Sequence, residues 1–274
     1  MPDSRTPPPV HRFLKDLDAV AAVEYHPATR GWILSIGGAE QSHVDLANPH
    51  RVFYEYLHRT ANLVDLAAAP SAAVRALHLG GGAMTLPRYI AATRPGSQQI
   101  VVELARELPD FVTTHLPLPA GSRIEVVIGD ARAALPSLRD TAVTPADLVV
   151  LDVFAGSDAP EHLREPAFYR EVKALMAPHG LLAVNVGDDP GLKFFQEQAR
   201  VLGASGPHGE PPVFAELWCL TEASMLTAQK AGNLILVAGR NPLPPQWREE
   251  LQAAGPHPAA VLDSWELAQW LAEL

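Results

Sequence analysis

A doubly wound, mostly parallel α/β sheet with an antiparallel hairpin at its edge and a small β unit ahead of it is the fold class this 274-residue sequence predicts. Three observations predict it. Five apolar runs, VRALHL, QIVVE, IEVVIG, DLVVLD and LLAVNV, are continuous rather than alternating, as strands covered on both faces are. Helix-compatible stretches separate the runs. Each run ends in or beside a glycine or a carboxylate, at the strand ends where open α/β sheets collect ligands.

The elements follow in chain order. Residues 1–19 open with MPDSRTPPPVHR, rich in proline and without an apolar core, and are expected to form a disordered or loosely ordered lead-in. Residues 20–70 read as a small β unit plus a helix. The stretches AVAAVEY, GWILSIGG and SHVDL are separated by turn signals at His26-Pro27, Arg30-Gly31 and Gly37-Gly38, which predicts antiparallel strands. After Asn48-Pro49, residues Phe53, Tyr56, Leu57, Leu63, Val64 and Leu66 recur near helical spacing and predict an amphipathic helix opening at Asn48. A step rich in proline and alanine around Pro70 closes the unit.

Residues 71–240 carry the alternating strands and helices. Near their end, VFAELWCL and NLILVAG leave too little chain for a crossover helix, so an antiparallel hairpin is expected there. Residues 241–274 read as an extension of proline-rich loops followed by SWELAQWLAEL, whose Trp265, Leu267, Ala268, Trp270 and Leu271 form one helical stripe for packing on the domain.

Composition narrows the function classes. A net charge of −10 argues against non-specific nucleic-acid binding, which calls for a basic surface. No run of eighteen apolar residues and no signal-peptide pattern is present, so the expectation is a cytoplasmic protein with no membrane partner. The single cysteine, Cys219, excludes a disulfide within the chain and reads as a buried thiol. His43, His50 and His58 lack metal-ligand spacing, so no metal is expected. His78 reads as an inward-facing strand residue rather than a catalyst.

The chemistry concentrates in LHLGGGAMTLPRY, residues 77–89. Gly80, Gly81 and Gly82 follow the first strand, and without Cβ atoms the turn lets a ligand lie against main-chain N–H groups. The alternative is a turn that only lets helix pack on strand. Acids then stand at later strand ends: Glu103 about 20 residues on, where a carboxylate can accept from both ribose hydroxyls, then Asp130 and Asp152. Taken singly, each also reads as a helix N-cap or a solvated carboxylate. Thr85 replaces the last glycine of the dinucleotide pattern, and so much negative charge disfavours a pyrophosphate. A nucleoside bearing positive charge fits better, such as the sulfonium S-adenosylmethionine or its decarboxylated form.

At these residues the chain resembles a known family, the polyamine aminopropyltransferases, which include spermidine synthases and are built on the Rossmann-like class I S-adenosylmethionine-dependent methyltransferase fold. The resemblance runs from about Ile36 to Gly239. Its most specific stretches are GGAEQSHVDL, the triple-glycine turn, GDA at 129–131, and DVFAGSDAPEHLREPAFYREVKALMAPHG at 152–180. The actinobacterial spermidine-synthase-like branch, with its L-H-L-G-G-G-A-[LM]-T-L-P-R-Y signature, is the most similar.

The resemblance implies roles residue by residue. Gln41 contacts the nucleoside, Glu103 holds its ribose, and Asp130 and Ala131 meet the adenine. Asp152 corresponds to the general base, which takes a proton from an acceptor amine as its nitrogen attacks the carbon beside the sulfonium. The donor is then decarboxylated S-adenosylmethionine, a co-substrate rather than a permanently bound cofactor, and a homodimer is implied. The chain also departs from the family. Ala83 stands where an aspartate holds the aminopropyl ammonium, Ala155 where a second acid holds the acceptor, and Phe53-Tyr54 where the family has a tyrosine-histidine pair. Tyr54, Glu55, Asp158 and Tyr169 are the residues expected on the acceptor side, with Asp158, Glu161 and Glu55 as sources of replacement charge. For Tyr169 and Trp218 the alternative is core packing. Two further readings stay open: a methyltransferase using S-adenosylmethionine itself, and a non-catalytic nucleoside-binding protein.

Overall fold

The computed structural model describes residues 7–153, 160–203 and 211–274. Strands β1 (Val10–Leu14), β2 (Ala19–His26), β3 (Gly31–Ile36) and β4 (Ala39–Val44) form an antiparallel sheet in that order. One face alternates inward: Leu14, Ala21, Val23, Leu34 and Val44 pack on Leu108, Phe111 and Val112. Pairing starts earlier than the proline-rich opening suggests, because all five residues of β1 are in register with β2, from Val10 opposite Val23 to Leu14 opposite Ala19.

Helix α1 spans Glu55–Ala67 and so begins seven residues after the expected start at Asn48. The carboxylate of Asp45 accepts the N–H groups of Ala47 (3.1 Å) and Asn48 (3.0 Å), which ties that asparagine into a turn. Pro49 keeps the residue before it out of helical geometry as well. Phe53 consequently lies outside the helix and is 42% exposed.

The second sheet is built from β5 (Arg75–Leu79), β6 (Gln98–Glu103), β7 (Arg123–Ile128), β8 (Ala146–Leu151), β9 (Met176–Asp188), β10 (Trp218–Glu222), β11 (Gly232–Gly239) and β12 (Ala259–Leu262), in the spatial order β12-β10-β11-β9-β8-β5-β6-β7. Strands β5 to β9 pair in parallel. The helices between them are α2 (Thr85–Thr93), α3 (Leu108–His115), α4 (Ala131–Ala134), α5 (Pro166–Leu175) and α6 (Lys193–Leu202), followed by α7 (Trp247–Ala254) and α8 (Ser264–Glu273). Both faces are covered over β5, β6, β8 and β9, which is why those runs do not alternate; IEVVIG departs from the expectation, because β7 lies at the sheet edge, has no buried residue and leaves Ile128 37% exposed. Val149 and Leu151 face the layer containing α5 and α6, while Leu148 and Val150 face α1 and α2.

The expected hairpin is present: β10 pairs antiparallel with β11, which pairs antiparallel with β9. One more strand, β12, lies beyond it on β10, drawn from a stretch read as loop. At four residues, AAVL is too short to declare a period. Helix α8 closes the chain with a capping box in which Asp263 accepts from Trp265 and Glu266 N–H and Glu266 reaches back. Leu267 is buried and Trp270 and Leu271 pack against the core, but Trp265, two positions from Leu267, points away and is 68% exposed. No described helix is long and apolar enough to cross a membrane.

Candidate functional site

Strand order reverses between β5 and β8, since β5 leads to β6 on one side and β8 leads to β9 on the other. The crevice at that reversal is where an open sheet places its ligand. Gly80 sits there with φ +101°, and a Cβ on it would run into the main-chain carbonyl of Asp152. The ends of β5, β6 and β8 are stitched directly: Gly80 N–H donates to Val102 O of β6, and Asp152 N–H to Leu79 O of β5, both at 2.9 Å.

Beyond Gly80 the turn is largely self-satisfied. Gly81 N–H donates to Glu103 Oε2 (3.0 Å), Ala83 N–H to Ser42 Oγ (3.1 Å) and Met84 N–H to Gly81 O (2.8 Å). The expected row of free main-chain donors is therefore reduced. Close approach is what the glycines provide. The Ser42 contact, with Thr85 Oγ1 donating to His43 O at 2.9 Å, fastens β4 to the turn and carries the neighbouring Gln41 to the crevice.

Two cavities meet over this turn. The smaller, about 180 Å³, is lined by Gly80, Gly81 and Gly82 with Gln41, Tyr56 and Asp152. The larger, about 580 Å³, also has Gln41, Tyr56 and Asp152 in its wall, with Glu40, Tyr54, Glu55, Asn185 and Glu222 farther out. Asp152 stands at their junction. Its Oδ1 accepts from Asn185 Nδ2 at 2.8 Å and its Oδ2 from the Tyr56 hydroxyl at 3.5 Å. Burial pushes the carboxyl above its ordinary range, and the two donors hold it down only in part. Tyr56 is itself pushed up by burial and then by the Asp152 charge, so it remains a neutral donor.

The wall of the larger cavity is acidic. Tyr54 donates to Glu40 Oε2 at 2.8 Å and stacks on Tyr56 with ring centroids 6.4 Å apart. Glu55 pairs with Arg59 at 3.2 Å, and that buried guanidinium also reaches Pro256 O at 3.1 Å. Four carboxylates against one guanidinium make the chamber attractive to cations.

Most residues expected from the sequence converge here: Gln41, Tyr54, Glu55 and Asp152 at the larger cavity, the three glycines at the smaller, and Glu103 beside Gly81, with its Oε1 also accepting Ala105 N–H at 2.9 Å. Others are placed elsewhere. Asp130 caps α4, its Oδ1 accepting from Arg132 (3.0 Å) and Ala133 (2.9 Å), and its Oδ2 meets His162 Nε2 at 2.8 Å. Burial alone would raise its carboxyl, but the Ala133 and His162 bonds hold it below the ordinary range. Ala131 is the first residue of that helix.

Tyr169 lines neither cavity. It is fully buried beside Phe168 and donates to Gln198 Oε1 at 2.7 Å, so core packing is its place, as it is for Trp218. Glu161 opens a short 3-10 turn outside both cavities. Asp158 and Ala155 lie outside the described residues. His78 is buried in β5 with Nε2 3.0 Å from Gln99 Oε1, and burial lowers its pKa to about 4. Cys219 is a buried thiol.

Four cavity residues carried no recognised signal. Asn185 is the one polar residue in LLAVNV, Glu222 follows WCLT, Glu40 precedes Gln41, and Tyr56 reads as part of a helix stripe.

The fold and the crevice define a class I methyltransferase-like α/β protein with a separate antiparallel N-terminal sheet. Within that class the chain is similar to the polyamine aminopropyltransferases. It is 24% identical over 203 residues to the polyamine aminopropyltransferase of Vibrio vulnificus (strain CMCP6), a match covering 74% of this chain and 62% of that relative's length. The crystal structure of a probable spermidine synthase from Corynebacterium glutamicum ATCC 13032 superposes with a TM-score of 0.80 at 25% identity, covering 99% of this chain and 95% of the other. Human methyltransferase-like protein 13, solved with SAH, shares the fold alone, with a TM-score of 0.51 at 20% identity over 79% of this chain and 90% of that one. No known family profile matches the chain.

Proposed function

We propose that the protein is an aminopropyltransferase of the spermidine-synthase type, moving an aminopropyl group from decarboxylated S-adenosylmethionine to an amine acceptor. The observation that carries this reading is the position of Asp152, a carboxyl raised by burial at the junction of a glycine-walled cavity and an acidic one. The smaller cavity suits the donor. Gln41 would contact the nucleoside, and Glu103, with each oxygen bonded to only one amide, has lone pairs left for ribose hydroxyls. Ala131 N–H, which makes no hydrogen bond within the described residues, would meet the adenine, with Asp130 keeping acceptor capacity on Oδ2.

The acceptor enters the acidic cavity as an ammonium ion, drawn by Asp152 and the carboxylates beyond it. Ionised Asp152 takes one proton, and the freed nitrogen lone pair attacks the carbon attached to sulfur. The carbon–nitrogen bond forms as the carbon–sulfur bond breaks, its electron pair leaving on sulfur, and neutral 5′-methylthioadenosine departs. The new secondary amine keeps a positive charge that the same cavity accommodates. Tyr56 and Asn185 orient the carboxylate; Tyr54 and Glu55 shape the acceptor wall.

The reading is tested by incubating the full chain with the decarboxylated donor and a panel of amines, and following 5′-methylthioadenosine by chromatography. Release in the wild type, and a loss of roughly a hundredfold or more in Asp152→Asn, is the expected result. Formation of S-adenosylhomocysteine from S-adenosylmethionine, with no 5′-methylthioadenosine from any amine, would replace it with methyl transfer.

A further inference from the structure

The three carboxylates that line the larger cavity besides Asp152 are not equivalent. Glu55 is paired with Arg59, and Glu40 receives the Tyr54 hydroxyl. Glu222 accepts only from the neutral Ser224 hydroxyl, on Oε1 at 2.7 Å, and no described residue bonds its Oε2. Lys230 reaches that serine oxygen at 2.9 Å rather than the carboxylate. Among the described residues, Glu222 has no ion-pair partner.

Its position is set by the sheet. Both β10 and β9 run antiparallel to β11, so β10 ends on the same side as β9 and its parallel neighbour β8. Glu222 is the last residue of β10, and the pairing of Glu222 with Ala259 of β12 fixes it there. With β11 and β9 between, Glu222 is three strand spacings from Asp152 and two residues farther along the strand direction, since Leu220 is level with Ile235 and Asn185, so the two Cα atoms are about 16 Å apart. Between them Asn185 of β9 is only 7% exposed, lines the same cavity and has its Oδ1 without a partner, because its Nδ2 is committed to Asp152. A buried acceptor left open beside a carboxylate calls for an N–H donor from a ligand.

We propose that Glu222 is a specificity-determining residue that holds the far ammonium of the acceptor, selecting amines that carry a second positive charge over monoamines. The inference rests on the aminopropyl transfer proposed above. Asn185 Oδ1 takes a second N–H of the nitrogen held at Asp152, and the chain between runs past Gly187, Ala231 and Gly232 in the wall of the same cavity.

The test compares 1,6-diaminohexane with hexylamine, identical except for the far ammonium, in the full chain and in Glu222→Gln. The ratio of kcat/KM for the diamine to that for the monoamine is expected to fall at least about tenfold in the variant, with Glu222→Asp recovering part of it. A 5′-methylthioadenosine titration of each variant establishes that it is folded. An unchanged ratio overturns the assignment. Should the wild type transfer to no amine at all, the transfer reading fails separately, and calorimetric titration of 1,6-diaminohexane into protein saturated with 5′-methylthioadenosine decides the matter. Binding at least about tenfold weaker in Glu222→Gln supports the role of Glu222; equal binding, or none in the wild type, overturns it.

Discussion

Replacing Asn185 by leucine should move the acidic limb of the pH–rate profile upward. In the wild type, burial raises the Asp152 carboxyl while Asn185 Nδ2, at 2.8 Å, and then the Tyr56 hydroxyl, at 3.5 Å, oppose the shift. A hydrogen bond to a charged group contributes roughly 1.5 to 3 kcal/mol, and one pKa unit corresponds to about 1.4 kcal/mol. Removing the Asn185 donor should therefore raise the carboxyl by about one to two units. The base must be ionised to act, so kcat/KM for release of 5′-methylthioadenosine should begin to fall at correspondingly higher pH as the solution is acidified. Neither amine substrate interferes, because both titrate near pH ~10 and affect only the alkaline limb. Tyr56→Phe, which removes the longer bond, should shift the limb less. A uniform fall in rate with the limb unmoved in Asn185→Leu would refute the assignment of Asp152 as the titrating base.

Two stability predictions follow from the same site. Because the folded-state pKa of Asp152 is raised, the folded protein binds more protons than the unfolded chain between the unfolded and folded pKa values, so this group's contribution is fully present at low pH and lost as pH rises through the folded value. Asp152→Asn should thus raise Tm relative to wild type at pH 8, by calorimetry, and the gain should shrink towards pH 4. Gly80→Ala places a Cβ against the Asp152 carbonyl at φ +101° and should cost about 2 to 4 kcal/mol in chemical denaturation; a cost below about 0.5 kcal/mol would contradict the close approach of the two strand ends.

Much of the fold was legible because burial on both faces leaves a simple mark. The runs of β5, β6, β8 and β9 are strands whose alternate residues face opposite helical layers, and their shortness and the glycines and acids that end them separate them from buried helix. Boundaries were less legible where short-range hydrogen bonding overrides periodicity. Asp45 draws Asn48 into a turn and delays α1 to Glu55, while β1 and β12 are short strands whose existence depends on the partner they pair with.

The site divides along the same line. Gly80, Glu103 and Asp152 are visible in the sequence because each sits at the end of its own apolar run, a local feature that fixes both the element and the end on which the residue falls. Asp130 looks the same by that criterion, and its Oδ1 caps α4 through the next three residues, but the contact of its Oδ2 with His162, 32 positions on, has no local sign. Tyr169, placed on the acceptor side by the resemblance with core packing as the alternative, is in the core. Sequence alone therefore determined the alternation of strands and helices, the glycine turn and the acid that faces it, because these follow from local chemistry and burial. Only the tertiary structure decided that Glu40 on β4, Asn185 on β9 and Glu222 on β10 share one cavity with Asp152, because the order of strands in a sheet is set by long-range packing that no local pattern encodes.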